Sequence, residues 1–173
     1  VMDTLVDSDG DIRGSQDADE GYYRRDAAGR AHMTAPAVDP RVYTNWSARM
    51  ASSLFLAHVA LVDDPRQEEY RAAALRTVDR LLAKAQDDDG GMFHMLAPDG
   101  TRGEKGLLTD QIWMAQAALD AYTHTGDADY REQARRIAAF MLRTLLAPTG
   151  FRDRPLDERD LGLLAEPVYS LPD

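Results

Sequence analysis

Four side chains are the sequence's strongest candidates for chemistry: Asp17, Asp19, His94 and Asp110. Asp17 and Asp19 stand two apart in Gly14-Ser15-Gln16-Asp17-Ala18-Asp19-Glu20. Paired carboxylates divide acid and base roles in glycoside hydrolysis when their separation suits the mechanism. Two apart on a loop, they equally well solvate it or cap the next turn. Asp110 and Asp153 are the candidate distant partners, and for Asp110 the competing role is capping its helix. His94, beside Phe93, has the chemistry to move a proton in a pocket, or simply stands exposed on its loop. Trp46, Trp113, Tyr22, Tyr23 and Phe93 offer flat faces for stacking on sugar rings, and Gln16 adds an amide. Trp46 and Trp113 fall near helix starts, where packing in the core is the competing use.

Other chemistry finds no support. Asp7-Ser8-Asp9-Gly10-Asp11 suggests a calcium loop, but Ile12 and Ala18 occupy the positions where an EF-hand needs Gly and Glu. With no His-x-x-x-His pair and no His–Glu cluster, no metal site is expected. The chain has no cysteine, which removes disulfides, thiolate ligands and thiol catalysis together. Neither a G-x-G-x-x-G, nor a Walker loop, nor a G-x-S-x-G elbow occurs, so no cofactor is expected. A net charge of −10 disfavours nucleic acid and anionic membrane surfaces, and no apolar run is long enough to span a bilayer. The acidic faces keep the protein soluble. A cytoplasmic location is the resulting expectation.

These residues need a frame, and 173 residues supply one domain's worth of chain. Four long helical patterns stand out. Those at about Asn45 to Val62 and Asp110 to Thr125 are apolar nearly all round. Those at about Arg66 to Gln86 and Asp127 to Leu146 carry one apolar stripe. A helix apolar all round is expected to be buried on several sides, and a striped one to have a face in water. The helix pairs, about 45–86 and 110–146, also repeat. Tyr70-Arg71 recurs as Tyr130-Arg131 and Leu82 as Leu142 at an offset of sixty, and Thr44-Asn45 answers Thr109-Asp110 at sixty-five. Asn45 and Asp110 are thereby read as caps of their own helices.

Connections within a pair are short, while the loops 7–44, 87–108 and 147–173 are long. This predicts an inner and an outer helix layer with the long loops on one face, at the N-termini of the inner helices. Met92 to Leu96, an Ala97-Pro98-Asp99-Gly100 turn and Thr101-Arg102 read as a hairpin. Tyr22 to Arg25 and Arg30 to Met33 read as a second one.

Gly14 to Glu20 followed by Tyr22-Tyr23, then Asn45-Trp46, resembles bacterial proteins with an N-terminal thioredoxin-like domain and a six-hairpin, (α/α)6-barrel C-terminal domain. Gly91-Met92-Phe93, Thr109-Asp110 and Gly150-Phe151-Arg152-Asp153 are similar to later barrel repeats of that family. The resemblance implies a fold shared with six-hairpin glycosidases and N-acylglucosamine 2-epimerases, without their reactions. Where the family has Gly-Gly-Phe-Tyr before its Gln-Asp-Ala-Asp segment, this chain has Gly10-Asp11-Ile12-Arg13 and lacks two pocket aromatics. The thioredoxin-like domain is absent, so no redox activity carries over.

The expected fold is therefore all-α: a segment of an α/α-hairpin toroid, a partial barrel with short β-hairpins in its long loops. Val1 to Val6 reads as the end of a preceding outer helix, and Asp173 falls where a third inner helix should start. A pocket of Gln16, Asp17, Asp19, Tyr22, Trp46, His94 and Asp110 would take a sugar. The open flanks predict self-association, or association with the missing barrel or thioredoxin-like part. The competing expectation is a non-enzymatic scaffold whose flanks bind another chain.

Overall fold

The computed structural model describes residues 4–7, 9–156, 169 and 170. Two helix hairpins dominate it. The first is α3 (Thr44–Ala60) with α4 (Gln67–Ala85), and the second is α5 (Leu108–Thr125) with α6 (Ala128–Thr144). Each outer helix packs on its own inner partner, α3 packs on α5, and α4 only grazes α5. The inner layer is thus α3 and α5. Small residues line these contacts: Ala48, Ala51, Ala73, Ala74, Ala117, Ala118 and Ala121 are all fully buried. They let helix axes approach closely, while Phe55, Leu81, Met114 and Ile137 fill the space between.

The inner helices are not buried all round, as their composition suggested. Leu56 is 67% exposed, and Val59, Ile112 and Leu119 also face outward. Two hairpins bury the sides of α3 and α5 that meet each other and the outer helices. The remaining side stays open.

The connecting loops share one repeated turn. In 7–11, Asp7 N–H donates to the Asp11 carbonyl and Gly10 N–H to the Asp7 carbonyl. In 87–91, Asp87 N–H donates to the Gly91 carbonyl and Gly90 N–H to the Asp87 carbonyl. Gly10 and Gly90 both adopt positive φ, near +90°, and lie against the backbone of Arg76 on α4 and Arg136 on α6. A side chain at either glycine would be strained by conformation and would strike backbone. Next in each loop, a buried residue docks on the first turn of an inner helix. Ser47 Oγ donates to the Ile12 carbonyl, and the Gln111 amide both accepts from Met92 N–H and donates to its carbonyl. The repeat is therefore loop, inner helix, outer helix.

The hairpin around Pro98-Asp99-Gly100 forms as expected. Ala97 N–H donates to Thr101, Gly100 N–H to Ala97, and Asp99 Oδ1 accepts Thr101 N–H. Its strand β2 (Met95–Leu96) pairs antiparallel with β1 (Val42–Tyr43), joining the two long loops. Leu108 N–H donates to the Asp153 carbonyl, which brings in the third connection. There β3 (Leu146–Ala147), β4 (Gly150–Arg152) and β5 (Tyr169–Ser170) form a small antiparallel sheet.

The hairpin expected across 22–33 is instead two helical turns, α1 (Glu20–Tyr23) and α2 (Ala27–Arg30). Asp19 caps the first through Tyr22 N–H, and Asp26 the second through Gly29 N–H. Two aspartate caps prevailed over the aromatic content of the segment. The helix expected over Val1–Val6 falls partly outside the described residues, and Val6 forms an antiparallel bridge with Ile12. The helix start at Asp173 falls outside them entirely.

Candidate functional site

The loop end of α3 and α5 brings His94 and Asp110 together. Asp110 is the third residue of α5, yet it does not cap that helix. The cap position belongs to Leu107, and that of α3 to Tyr43, neither with a side-chain capping bond. The Asp110 carboxylate turns instead to α3, where Oδ1 accepts Asn45 N–H at 3.1 Å. The free N–H groups of a helix start favour a carboxylate. Its two oxygens also face His94 Nδ1 at 3.1 and 3.0 Å. Asp110 is completely buried, whereas 31% of the His94 side chain reaches solvent. Burial pushes the Asp110 carboxyl above the ordinary carboxylate range, against the opposing pull of His94 and of Asn45 N–H.

His94 is held from several directions. Its N–H donates to the Glu104 carbonyl across the hairpin, and its own carbonyl accepts Thr44 N–H. The Tyr43 ring lies 5.6 Å from the imidazole and 4.8 Å from Trp46. Trp46 is 53% exposed, so it is not the core residue that its position near a helix start allowed. Trp113, half-buried on the core, lies under the Arg49 guanidinium at 4.5 Å, a cation–π contact joining α5 to α3.

With a carboxylate on Nδ1, that nitrogen carries the proton in the neutral ring and Nε2 presents a lone pair. Nε2 has no hydrogen-bond partner among the described residues. A histidine so arranged can take up a proton and return it.

Gln16, Asp17, Asp19, Tyr22 and Tyr23 make no hydrogen bond, ion pair or ring contact to this pair among the described residues. Tyr23 OH donates to Gln16 Oε1, Tyr22 and Tyr23 pack edge to face, and Asp19 is occupied in capping. Asp17 is exposed and lines a shallow groove with Ser15, Val38 and Arg41. Asp17 N–H donates to the Ala37 carbonyl. Phe93 stacks under Arg102 and Lys105. Asp153 Oδ1 is buried without a partner among the described residues. Neither Tyr43 nor Gln111 stands out in the sequence, although Tyr43 immediately precedes an inner helix, as an anchoring aromatic would. Among the described residues no helix is long and apolar enough to cross a membrane.

No family model matches this sequence, and no curated protein matches it. Its backbone is similar to that of a cellobiose 2-epimerase from Spirochaeta thermophila, with TM-score 0.66 and 16% identity over 91% of this chain and 38% of that one. It is also similar to an unsaturated glucuronyl hydrolase from a Bacillus species, with TM-score 0.61 and 16% identity over 92% of this chain and 40% of that one. A third likeness is to a glycoside hydrolase family 76 mannosidase from Bacteroides thetaiotaomicron, with TM-score 0.52 and 18% identity over 64% of this chain and 31% of that one. The chain thus spans well under half the length of these structures. At such identities the likeness establishes fold: a mostly helical, six-hairpin glycosidase-like α/α toroid, present as a partial barrel.

Proposed function

We propose that the loop end of α3 and α5 is a carbohydrate site in which His94 moves a proton. The observation that carries this reading is His94, tied through Nδ1 to the buried Asp110 carboxylate and bare at Nε2, with the Tyr43 ring packed on both it and exposed Trp46. Asp110 orients the ring and stabilises it once charged, and Nε2 takes a proton from a sugar and returns it. Tyr43 and Trp46 supply faces for the sugar ring, and Arg49 a cation for a polar substituent. Proton transfer is favoured over two-carboxylate hydrolysis because Asp110 is bonded to His94, while Asp19 is engaged in capping α1 and Asp17 has no bond to the pair. The carbohydrate-active proteins of similar fold add support. The Gln16-Asp17-Ala18-Asp19 segment supports kinship with the thioredoxin-linked family, and the absence of cysteine suits a cytoplasmic location.

The test is calorimetric binding and NMR-detected turnover across a panel of neutral and acidic mono- and disaccharides. Saturable binding that His94→Gln retains without turnover supports the reading. Silence across the panel in the wild-type chain overturns it.

A second reading has its own observation. Leu56, Val59, Ile112 and Leu119 leave the inner helices with an exposed apolar side. As a scaffold, the chain would cover this side with a second copy or with a separate chain completing the toroid. Sedimentation at tens of micromolar distinguishes a self-associating chain from a monomer.

A further inference from the structure

A cleft of about 410 Å3 opens on the other side of the β1–β2 ribbon. Side chains alternate along a strand, so the paired Val42 and Leu96 face the cleft while Tyr43 faces the His94 side. Its apolar floor is Val42, Leu96, Pro40 and Pro98, and its charged walls are Asp11, Arg80, Lys84 and Arg102.

The cations are not equivalent. Arg80 is held by Asp11 through two bonds, at 3.0 and 3.1 Å, with Asp7 and Asp9 close enough to strengthen its hold on its proton. Neither Lys84 nor Arg102 forms an ion pair among the described residues, although Arg102 lies near enough to Asp87 to help hold that carboxyl below its ordinary range. Arg102 is positioned all the same, its guanidinium 4.9 Å from the centre of the Phe93 ring. They come from different elements, the end of α4 and the far strand of the hairpin. In a chain of net charge −10, two cations outside any ion pair line one cleft over an apolar floor.

We infer that this cleft is a ligand site for a small organic phosphate or phosphonate, its dianionic head between Lys84 and Arg102 and its organic body on Val42 and Leu96. A doubly charged head matches two cations that form no ion pair among the described residues, and an arginine fork suits its oxygens. The site is independent of the carbohydrate reading, since it uses neither His94 nor Trp46.

The test uses the full chain with phenylphosphonate, inorganic phosphate and neutral benzyl alcohol as probes in calorimetric titrations at low and high salt. Phenylphosphonate is expected to bind more tightly than phosphate, and benzyl alcohol not at all. Lys84→Gln and Arg102→Gln should each weaken phenylphosphonate by about tenfold, the double variant by more, and added salt should weaken it further. Both side chains are exposed, so melting temperatures should hold and binding losses report the site. Equal affinity in wild type and double variant, or no binding of millimolar phenylphosphonate, overturns the inference. Phosphate binding as tightly as phenylphosphonate removes the apolar floor from it.

Discussion

Asp110 caps a helix other than its own: its Oδ1 accepts the N–H of Asn45, sixty-five residues earlier, while the same carboxylate holds His94 Nδ1. The neighbouring inner helices and the hairpin between them are tied at one fully buried residue. Replacing Asp110 with Leu strands Asn45 N–H and His94 Nδ1, at up to about 1–3 kcal/mol for each group, both being part-buried. Urea unfolding of Asp110→Leu should show a loss of about 2–4 kcal/mol, and Asp110→Asn, whose amide oxygen still accepts, clearly less. Equal losses would deny the cross-helix cap.

The same carboxyl sets a pH dependence. Burial raises its folded pKa above the unfolded value of about 3.9, so the protonated form is the one folding favours. This contribution is complete below the unfolded value and is lost as pH rises through the folded one. Measured against Asp110→Asn, wild-type stability should therefore decline as pH climbs upward from about 4. A difference that grows over that interval would reverse the sign.

Gln111 makes a comparable tie to the hairpin, its amide bonded to both backbone groups of fully buried Met92. Gln111→Leu keeps the bulk but strands Met92 N–H, while the Met92 carbonyl still accepts Gly106 N–H, so a loss of about 1–3 kcal/mol is expected by urea titration. A variant as stable as wild type would show that Met92 N–H finds another partner.

Two glycines with the same backbone conformation should differ in tolerance. Gly90 has φ +90° and would place a Cβ 2.7 Å from the Arg136 carbonyl oxygen, whereas Gly100 has φ +85° and open space. Gly100→Ala bears only the conformational cost, about 1 kcal/mol. Gly90→Ala adds a collision with backbone and should lower the melting temperature several degrees further. Equal shifts would mean that the Gly90 turn does not pack on α6.

Trp46 separates binding from folding. Being more than half exposed, it should be replaceable by Ala within about 1 kcal/mol of stability, while sugar affinity falls at least about tenfold. Unchanged affinity would remove Trp46 from the site.

The helix pairs were legible in the sequence because period and punctuation agree: the pattern read from Asp127 to Leu146 is observed as Ala128–Thr144, with Asp127 capping it. The match of Asn45 with Asp110 was legible too, though its meaning was not. Pattern shows which positions correspond, but only packing of α3 on α5 shows that the corresponding residues touch. His94 was found by residue type and Asp110 was misread as a local cap, because local capping is all that a linear reading can weigh. Capping of the next turn is legible for Asp19, while Asp26 reads as part of a hairpin turn because Tyr22 and Tyr23 suggest a strand. Gln111 gave no signal, since a glutamine in the first turn of a helix looks solvated until a hairpin folds onto it.

The most direct measurement is the imidazole nitrogen spectrum of His94, recorded by long-range proton–nitrogen correlation above the pH at which the ring is charged. A protonated Nδ1 and a bare Nε2 are expected in the wild-type chain, with that preference lost in Asp110→Leu. A proton resident on Nε2, or a spectrum indifferent to Asp110, would contradict a histidine poised by its buried carboxylate.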